Sequence, residues 1–301
     1  MISKKIIFSI LLILLGSGAA SAATLNVGQG QTYTTIQSAI NAANPGDVIS
    51  VSEGTYSENL VIKTSGISII GKTKEKTIID GKKTGSAIRI DQQNNIKVSG
   101  FTIQNSGGSG TEDAGVTIYT ANNNIIENII FLNNIMGISV YKGSNNNIIS
   151  ENDIKSSNKY GIFIYSSNEN KINNNNIQEN KIGVYSDAGR NNNIYSNNFI
   201  DNNEQAFDNS GLNSWDDGKS GNYWYKKTGG ASNILGGKNA RDNYPLSKAI
   251  TIKYEEVTAP GEVGTSQGTQ SGTGKSTPGF SGIAVIVLII AIAKSKNRQN
   301  T

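Results

Sequence analysis

Between residues 115 and 200 the apolar positions of the chain return in phase. Gly115, Gly137, Gly161 and Gly183 stand 22, 24 and 22 residues apart. Each opens a short alternating run: Gly-Val-Thr-Ile-Tyr, Gly-Ile-Ser-Val-Tyr, Gly-Ile-Phe-Ile-Tyr and Gly-Val-Tyr. An apolar residue recurs at Ile125, Ile148, Ile172 and Ile194, and another at Ile130, Ile154, Ile177 and Phe199. The preceding stretch repeats the theme with Ile88, Ile90, Ile96 and Phe101, its turn expanded by residues 106–114, and a degraded copy follows at Ala206-Phe207. Alternation of this kind marks strands with one buried face. Three short strands per unit cannot bury that face alone, whereas stacked units share a continuous core. The pattern predicts an all-β fold, a single-stranded right-handed parallel β-helix. Its strands would pair at ~4.8 Å, so roughly eight or nine coils make a rod on the order of 40 Å long. The right-handed winding follows from the handedness of parallel crossovers.

Asparagines are phased with the repeat. Asn124, Asn147 and Asn193 precede the second strand; Asn128, Asn152, Asn176 and Asn198 fall between the second and third. Asn tolerates left-handed turns and bonds its own backbone, and amides stacked at equivalent turns can form ladders. None lies in an Asn-X-Ser/Thr sequon.

The solenoid begins with a helix signal. Thr34-Thr35-Ile36-Gln37 has capping-box spacing, and Ile36, Ala39, Ile40 and Ala43 share one helical face. Asn44-Pro45-Gly46-Asp47 stops the run. A short amphipathic helix over the open end of the first coil would protect its edge strands.

Both ends carry targeting features. Lys4-Lys5, the apolar run Ile6–Leu15 and Ala20-Ser21-Ala22 read as a secretory leader cleaved between Ala22 and Ala23. At the other end, residues 256–277 have the composition of a flexible linker. Pro278-Gly279-Phe280, an apolar stretch and a basic tail follow. This arrangement resembles the archaeal PGF-CTERM sorting signal, which implies processing by an archaeosortase-like enzyme and a tether at the cell surface. The expected organisation is a signal peptide over 1–22, an N-terminal strand and capping helix over 23–47, and coils over 48–212. An aromatic capping module over 213–255, the linker over 256–277 and the sorting segment over 278–301 complete it.

Composition narrows the chemistry. The net charge of +4 comes from the ends: without Lys4, Lys5, Lys294, Lys296 and Arg298, 22 cations face 23 acids. A near-neutral body lacks the electrostatic footprint of a nucleic-acid binder. The chain has no Cys and no His, so it lacks thiolate chemistry and the side chain best suited to proton transfer near neutral pH.

Residues 31–81, with the string YTTIQSAINAANPGDVISVSEGTYSENLVI followed by ISIIG and TIIDG, resemble the first coils of pectate-lyase-like β-helices. The Gly-Ile and Asn-Asn-Ile repeats are similar to the NosD-type β-helix family. The modules Asn213–Gly218, Gly221–Trp224 and Asp242–Leu246 resemble the closing segment of its archaeal surface members. The resemblance spans about residues 31–250. It implies the fold, and it brings a periplasmic copper-binding label that the residues do not favour. Copper sites draw mostly on His, Cys and Met, and after leader removal only Met136 remains of these. No cofactor is expected.

A polysaccharide lyase would need clustered carboxylates with an Arg or Lys base. Asp216-Asp217 sits in the terminal module, and Arg89 with Asp91 reads more simply as a surface pair. A binding surface is the stronger expectation. If Ile138 and Val140 point inward, Tyr141 points outward, with Tyr119 and Tyr165 one coil to either side; Phe163 and Tyr185 form the neighbouring outward column. Such aromatics can serve as a platform for an extracellular or cell-wall glycan, or they can brace the sheet as cross-strand pairs. An envelope protein is the other expected partner. Trp215, Tyr223, Trp224 and Tyr225 read as cover for the last coil.

Overall fold

The computed structural model describes residues 21–108, 110–226 and 232–254. The basic and apolar part of the leader, the linker and the Pro278-Gly279-Phe280 motif lie outside them. The described residues wind as a right-handed parallel β-solenoid of about nine turns, with one short helix among them. Three sheets of eight strands form its sides, and each strand between the sheet ends pairs with the equivalent strands of the coils before and after it. We call them sheets A, B and C, which contain Lys97–Ser99, Thr102–Gln104 and Ile88–Asp91 respectively. At ~4.8 Å per strand, eight strands give a rod of about 35 Å.

Apolar residues stack through the interior in register. In sheet A the inward column runs Ile69, Val98, Ile126, Ile149, Ile172, Ile194. In sheet B it runs Ile103, Phe131, Ile154, Ile177, Phe199 and ends on Trp224. Sheet C contributes two, one through Val116, Ile138, Ile162 and Val184, the other through Ile118, Val140 and Ile164. The expectation for Ile172, Ile194, Ile154, Ile177 and Phe199 therefore holds. Ile125, Ile148 and Ile130 are corrected: their neighbours Ile126, Ile149 and Phe131 are fully buried, and Ile148 is exposed. A one-residue slip reverses the face of a strand, and packing selects the second of two adjacent apolar residues here.

The repeating glycines set the approach of coil on coil. A Cβ on Gly137 would lie 2.5 Å from the Gly161 carbonyl oxygen, and one on Gly161 would lie 2.6 Å from that of Gly183. No side chain fits at this corner.

Three buried Asn ladders bind the other corners. One runs Asn124, Asn147, Asn170, Asn192, Asn213; each of the first four donates its backbone N–H and side-chain Nδ2 to the next Oδ1 at 2.8–3.1 Å. A second runs Asn152, Asn175, Asn197, Asn222, and a shorter third joins Asn180 to Asn202. Asn124, Asn147 and Asn152 are placed as the spacing predicts. Asn193, Asn176 and Asn198 stand outside these three ladders: they lie in strands, where Asn198 donates to Asn176 Oδ1 at 2.7 Å, and their predecessors Asn192, Asn175 and Asn197 turn inward instead.

The helix Ile36–Ala42 packs on the first strands and buries Ile36, Ala39 and Ile40. Its N-cap is Thr35, which accepts from Ser38 N–H at 3.3 Å, so the Thr34–Gln37 capping box does not form. The Glu58 carboxylate takes the free N–H groups of Ile36 and Gln37 at 2.9 and 3.0 Å.

The last coil is closed by aromatic and acidic residues together. Trp215 and Trp224 are buried, and Trp224 stacks on Phe199 at 4.3 Å. Asp208 falls at the end of the inward column through Ile164 and Ser186 and accepts from the Trp215 indole N–H at 3.3 Å. Asp242, also buried, accepts from Trp224 Nε1, Asn222 N and Tyr244 N. Burial outweighs these bonds and raises the Asp242 carboxyl above the ordinary aspartate range. Trp215 and Trp224 thus act as cover, as their position predicts.

Candidate functional site

The outward face of sheet C carries the aromatic columns. Tyr119, Tyr141 and Tyr165 pair directly across successive strands. Phe163 and Tyr185 are paired in the neighbouring column, which extends to Phe207. Beside them runs a third column, Met136 to Tyr160. All five predicted aromatics therefore share one flank; Tyr160 and Phe207 are additions. Tyr160 precedes the repeat glycine, where Met136 and Ile182 stand in other coils, so one coil in isolation did not mark the position as aromatic.

The rings stack on one another. Tyr141 and Tyr165 are 4.8 Å apart at 22°, Tyr160 and Tyr185 4.8 Å at 18°, and Tyr185 and Phe207 5.0 Å at 6°. Tyr119 lies 5.8 Å from Tyr141 and is covered on its other side by the Arg89 guanidinium at 4.9 Å. Most ring faces therefore meet another ring, Tyr119 meets Arg89 on its outer side, and Asp187 stands opposite Tyr165 in the next strand. Among the described residues, Lys142 Nζ reaches Tyr119 Oη at 3.4 Å, and no protein group bonds the hydroxyls of Tyr141, Tyr160, Tyr165 or Tyr185. Burial raises the Tyr160 and Tyr185 hydroxyls above the ordinary phenol range, so both stay protonated and can donate as well as accept. The hydrogen bond that Lys142 donates to the Tyr119 oxygen holds its ammonium above the ordinary lysine range.

Charged groups rim the flank without converging. Arg89 bridges Asp91 at 3.4 Å and Glu112 at 3.5 Å, as the surface-pair reading expects. Glu204 sits at the far end with its Oε1 buried and unbonded, and burial raises its carboxyl. It pairs opposite Ile182, whereas Asp187 lies five residues further along that strand, about 16 Å away at ~3.3 Å per residue. The two positions are thus well separated along the flank. Asp216 and Asp217 serve turns: Asp216 accepts from Asn243, and Asp217 accepts from the N–H groups of Lys219 and Ser220, which hold its carboxyl below the ordinary range.

Residues 26–229, more than half of the chain, match the family described as periplasmic copper-binding protein (NosD). The chain belongs to the NosD family. Among curated relatives, a cell surface glycoprotein of Methanothermus fervidus is 31% identical over 122 residues, covering 40% of this chain and 20% of that protein. The uncharacterized protein YwoF of Bacillus subtilis is 31% identical over 100 residues, covering 30% and 21%. This NosD-family chain spans about a fifth of the length of each. Among solved structures, pectin methylesterase from carrot aligns over 62% of this chain and 66% of its own, with a TM-score of 0.46 and 14% identity. An alginate lyase from Paenibacillus aligns over 60% and 75%, with a TM-score of 0.41 and 16% identity. These two likenesses are too distant to bear on activity.

The residues of this NosD-family protein do not fit a copper site. Met136, the one soft ligand in the described residues, is buried with Ala114 and Phe163, and its thioether is closed to solvent. Among the described residues, no three His, Cys, Asp or Glu side chains are grouped to hold a metal. No helix among them is long and apolar enough to cross a membrane.

Proposed function

We propose that this protein is an exported, surface-tethered and non-enzymatic component of the cell envelope that contacts glycan along the outward face of sheet C. The observation that carries this reading is the row of unclaimed tyrosine hydroxyls at Tyr141, Tyr160, Tyr165 and Tyr185 above a stacked aromatic ladder. Stacking fixes the rings, so little side-chain freedom is lost when a ligand bonds them. Because most ring faces are occupied, recognition is edge-on: hydroxyls of an extended sugar chain exchange hydrogen bonds with phenols spaced by one coil. A cell surface glycoprotein among the relatives, and a family described as periplasmic, agree with an envelope location. The tether is proposed from the Pro278-Gly279-Phe280 segment and its processing by an archaeosortase-like enzyme, after a signal peptidase has removed the leader.

The test is a screen of the purified protein against arrayed cell-wall and extracellular polysaccharides, with unsaturated or shortened products assayed on every hit. Saturable binding without products is expected. Turnover of a bound polymer would replace this reading with an enzymatic one, and absence of any glycan ligand would leave the ladder as sheet bracing.

A further inference from the structure

The first sheet-A strand, Thr24–Val27, pairs with Val48–Val51, and Ala23 stands just before it. Its carbonyl accepts from Val48 N–H at 2.9 Å, which fixes the Ala23 backbone. The Ala23 nitrogen in turn points at Asp47 Oδ1, 2.8 Å away. The other carboxylate oxygen accepts from Asn44 N–H at 2.8 Å. Asp47 is buried, 5% exposed. Among the described residues no Lys or Arg pairs with it. Ser21, Ala22 and Ala23 are exposed, so the peptide bond between Ala22 and Ala23 is open to a protease.

A buried carboxylate with no cation, aimed at the nitrogen that leader removal would set free, is a receptor for a new N-terminus. We propose that Asp47 binds the α-ammonium of Ala23 once the chain is cut between Ala22 and Ala23, so that export processing completes an ion pair which closes the first coil. This rests on the reading of residues 1–22 as a cleaved leader. Before cleavage the contact is a bond from a neutral amide. Afterwards donor and acceptor both carry full charge, and the contact becomes an ion pair. The pair sits where the solenoid begins, at the corner shared by the first sheet-A strand and the end of the helix. Processing would therefore stabilise the end of the rod that fraying would otherwise reach first.

The experiment uses the full chain, expressed with its leader and recovered after export. Mass spectrometry reads the first residue, and the rate of α-amine acylation is followed against pH for the wild type, for Asp47→Asn and for the urea-unfolded wild type. The expected result is an N-terminus at Ala23 whose amine titrates above the ordinary α-amino range of about 7.7–8.0. It should react about tenfold more slowly at pH 7.5 than in Asp47→Asn or in the unfolded chain. Should Asp47→Asn fail to fold, the comparison with the unfolded wild type decides alone. An N-terminus at Ala23 whose amine titrates in the ordinary range would overturn the pairing and leave export intact. An N-terminus elsewhere would overturn the cleavage reading and this proposal with it.

Discussion

Gln37 pairs with Val61 as another strand would. Its Oε1 accepts from the Val61 N–H at 2.8 Å, and its Nε2 donates to the Val61 carbonyl at 3.1 Å. Val61 lies in Leu60–Ile62, the edge strand of sheet C, and its side chain is exposed. An open strand edge invites pairing with another chain, and a side-chain amide from the helix occupies this one. Gln37→Leu should cost about 1 kcal/mol through the lost bonds and should promote self-association. Unfolding in urea measures the first effect, and light scattering at rising concentration measures the second.

Ladder asparagines and strand asparagines should respond differently to the same substitution. Asn175 is fully buried, accepts from the N–H and Nδ2 of Asn152, and donates to Asn197 Oδ1 and to the carbonyls of Ile149 and Asn173. Asn175→Ala strands several buried groups at ~1–3 kcal/mol each, so a loss of at least about 3 kcal/mol is expected. Asn193 has a side-chain oxygen without a partner, and Asn193→Ala should stay within about 0.5 kcal/mol. Chemical denaturation of both variants checks the contrast.

Asp242 gives stability a pH dependence of a definite sign. Its folded-state pKa is raised, chiefly by burial, so the folded protein holds the proton more tightly than the unfolded chain does. Stability from this group is full below the ordinary value of 3.8 and declines as pH rises through the raised value. Asp242→Asn removes that dependence. The Tm of the variant relative to wild type should therefore rise between pH 3.5 and pH 7, which scanning calorimetry at the two pH values would show.

Residues 250–254 form a strap across sheet B, held through Ile250 and Tyr254. Ile250 exchanges two hydrogen bonds with Asn198, and the Tyr254 hydroxyl donates to Asp153 Oδ1 at 2.6 Å. The Lys74 amine lies beneath the Tyr254 ring, 10% exposed, with Asp153 at 3.9 Å and no hydrogen-bond acceptor. Burial lowers its pKa, against the charges of Asp153, Glu75 and Glu151. Tyr254→Ala should uncover Lys74, and its acylation, followed by peptide mass spectrometry, should quicken about tenfold or more. Tyr254→Phe keeps the ring and should protect the amine much better than Tyr254→Ala.

The fold was legible because the repeat is simultaneously a period, a glycine and a face. Gly115, Gly137, Gly161 and Gly183 mark a corner where coils touch, and that requirement shows in sequence. Ile172 and Ile194 were readable because each is flanked by polar residues; Ile125-Ile126 and Ile148-Ile149 offered two candidates that only packing could separate. The Asn runs posed the same ambiguity, and the ladder took the residue before the one expected at Asn193, Asn176 and Asn198. The aromatic flank followed from alternation, but the stacking that covers the ring faces depends on distances between coils. Asp208, Asp242 and the Lys74–Tyr254 contact carry no local signature: their partners stand 7, 18 and 180 residues away.

The central claim is that the sheet-C flank meets glycan through its hydroxyls. Tyr141, Tyr165 and Tyr185 can be changed together to Phe, which preserves the stack and removes only the groups said to bind. At ~1 kcal/mol for each neutral hydrogen bond, the triple variant should stay folded and bind the polysaccharide found on the array at least about tenfold more weakly. Titration calorimetry of both proteins makes the measurement. Equal affinity of the triple variant and the wild type would contradict the account.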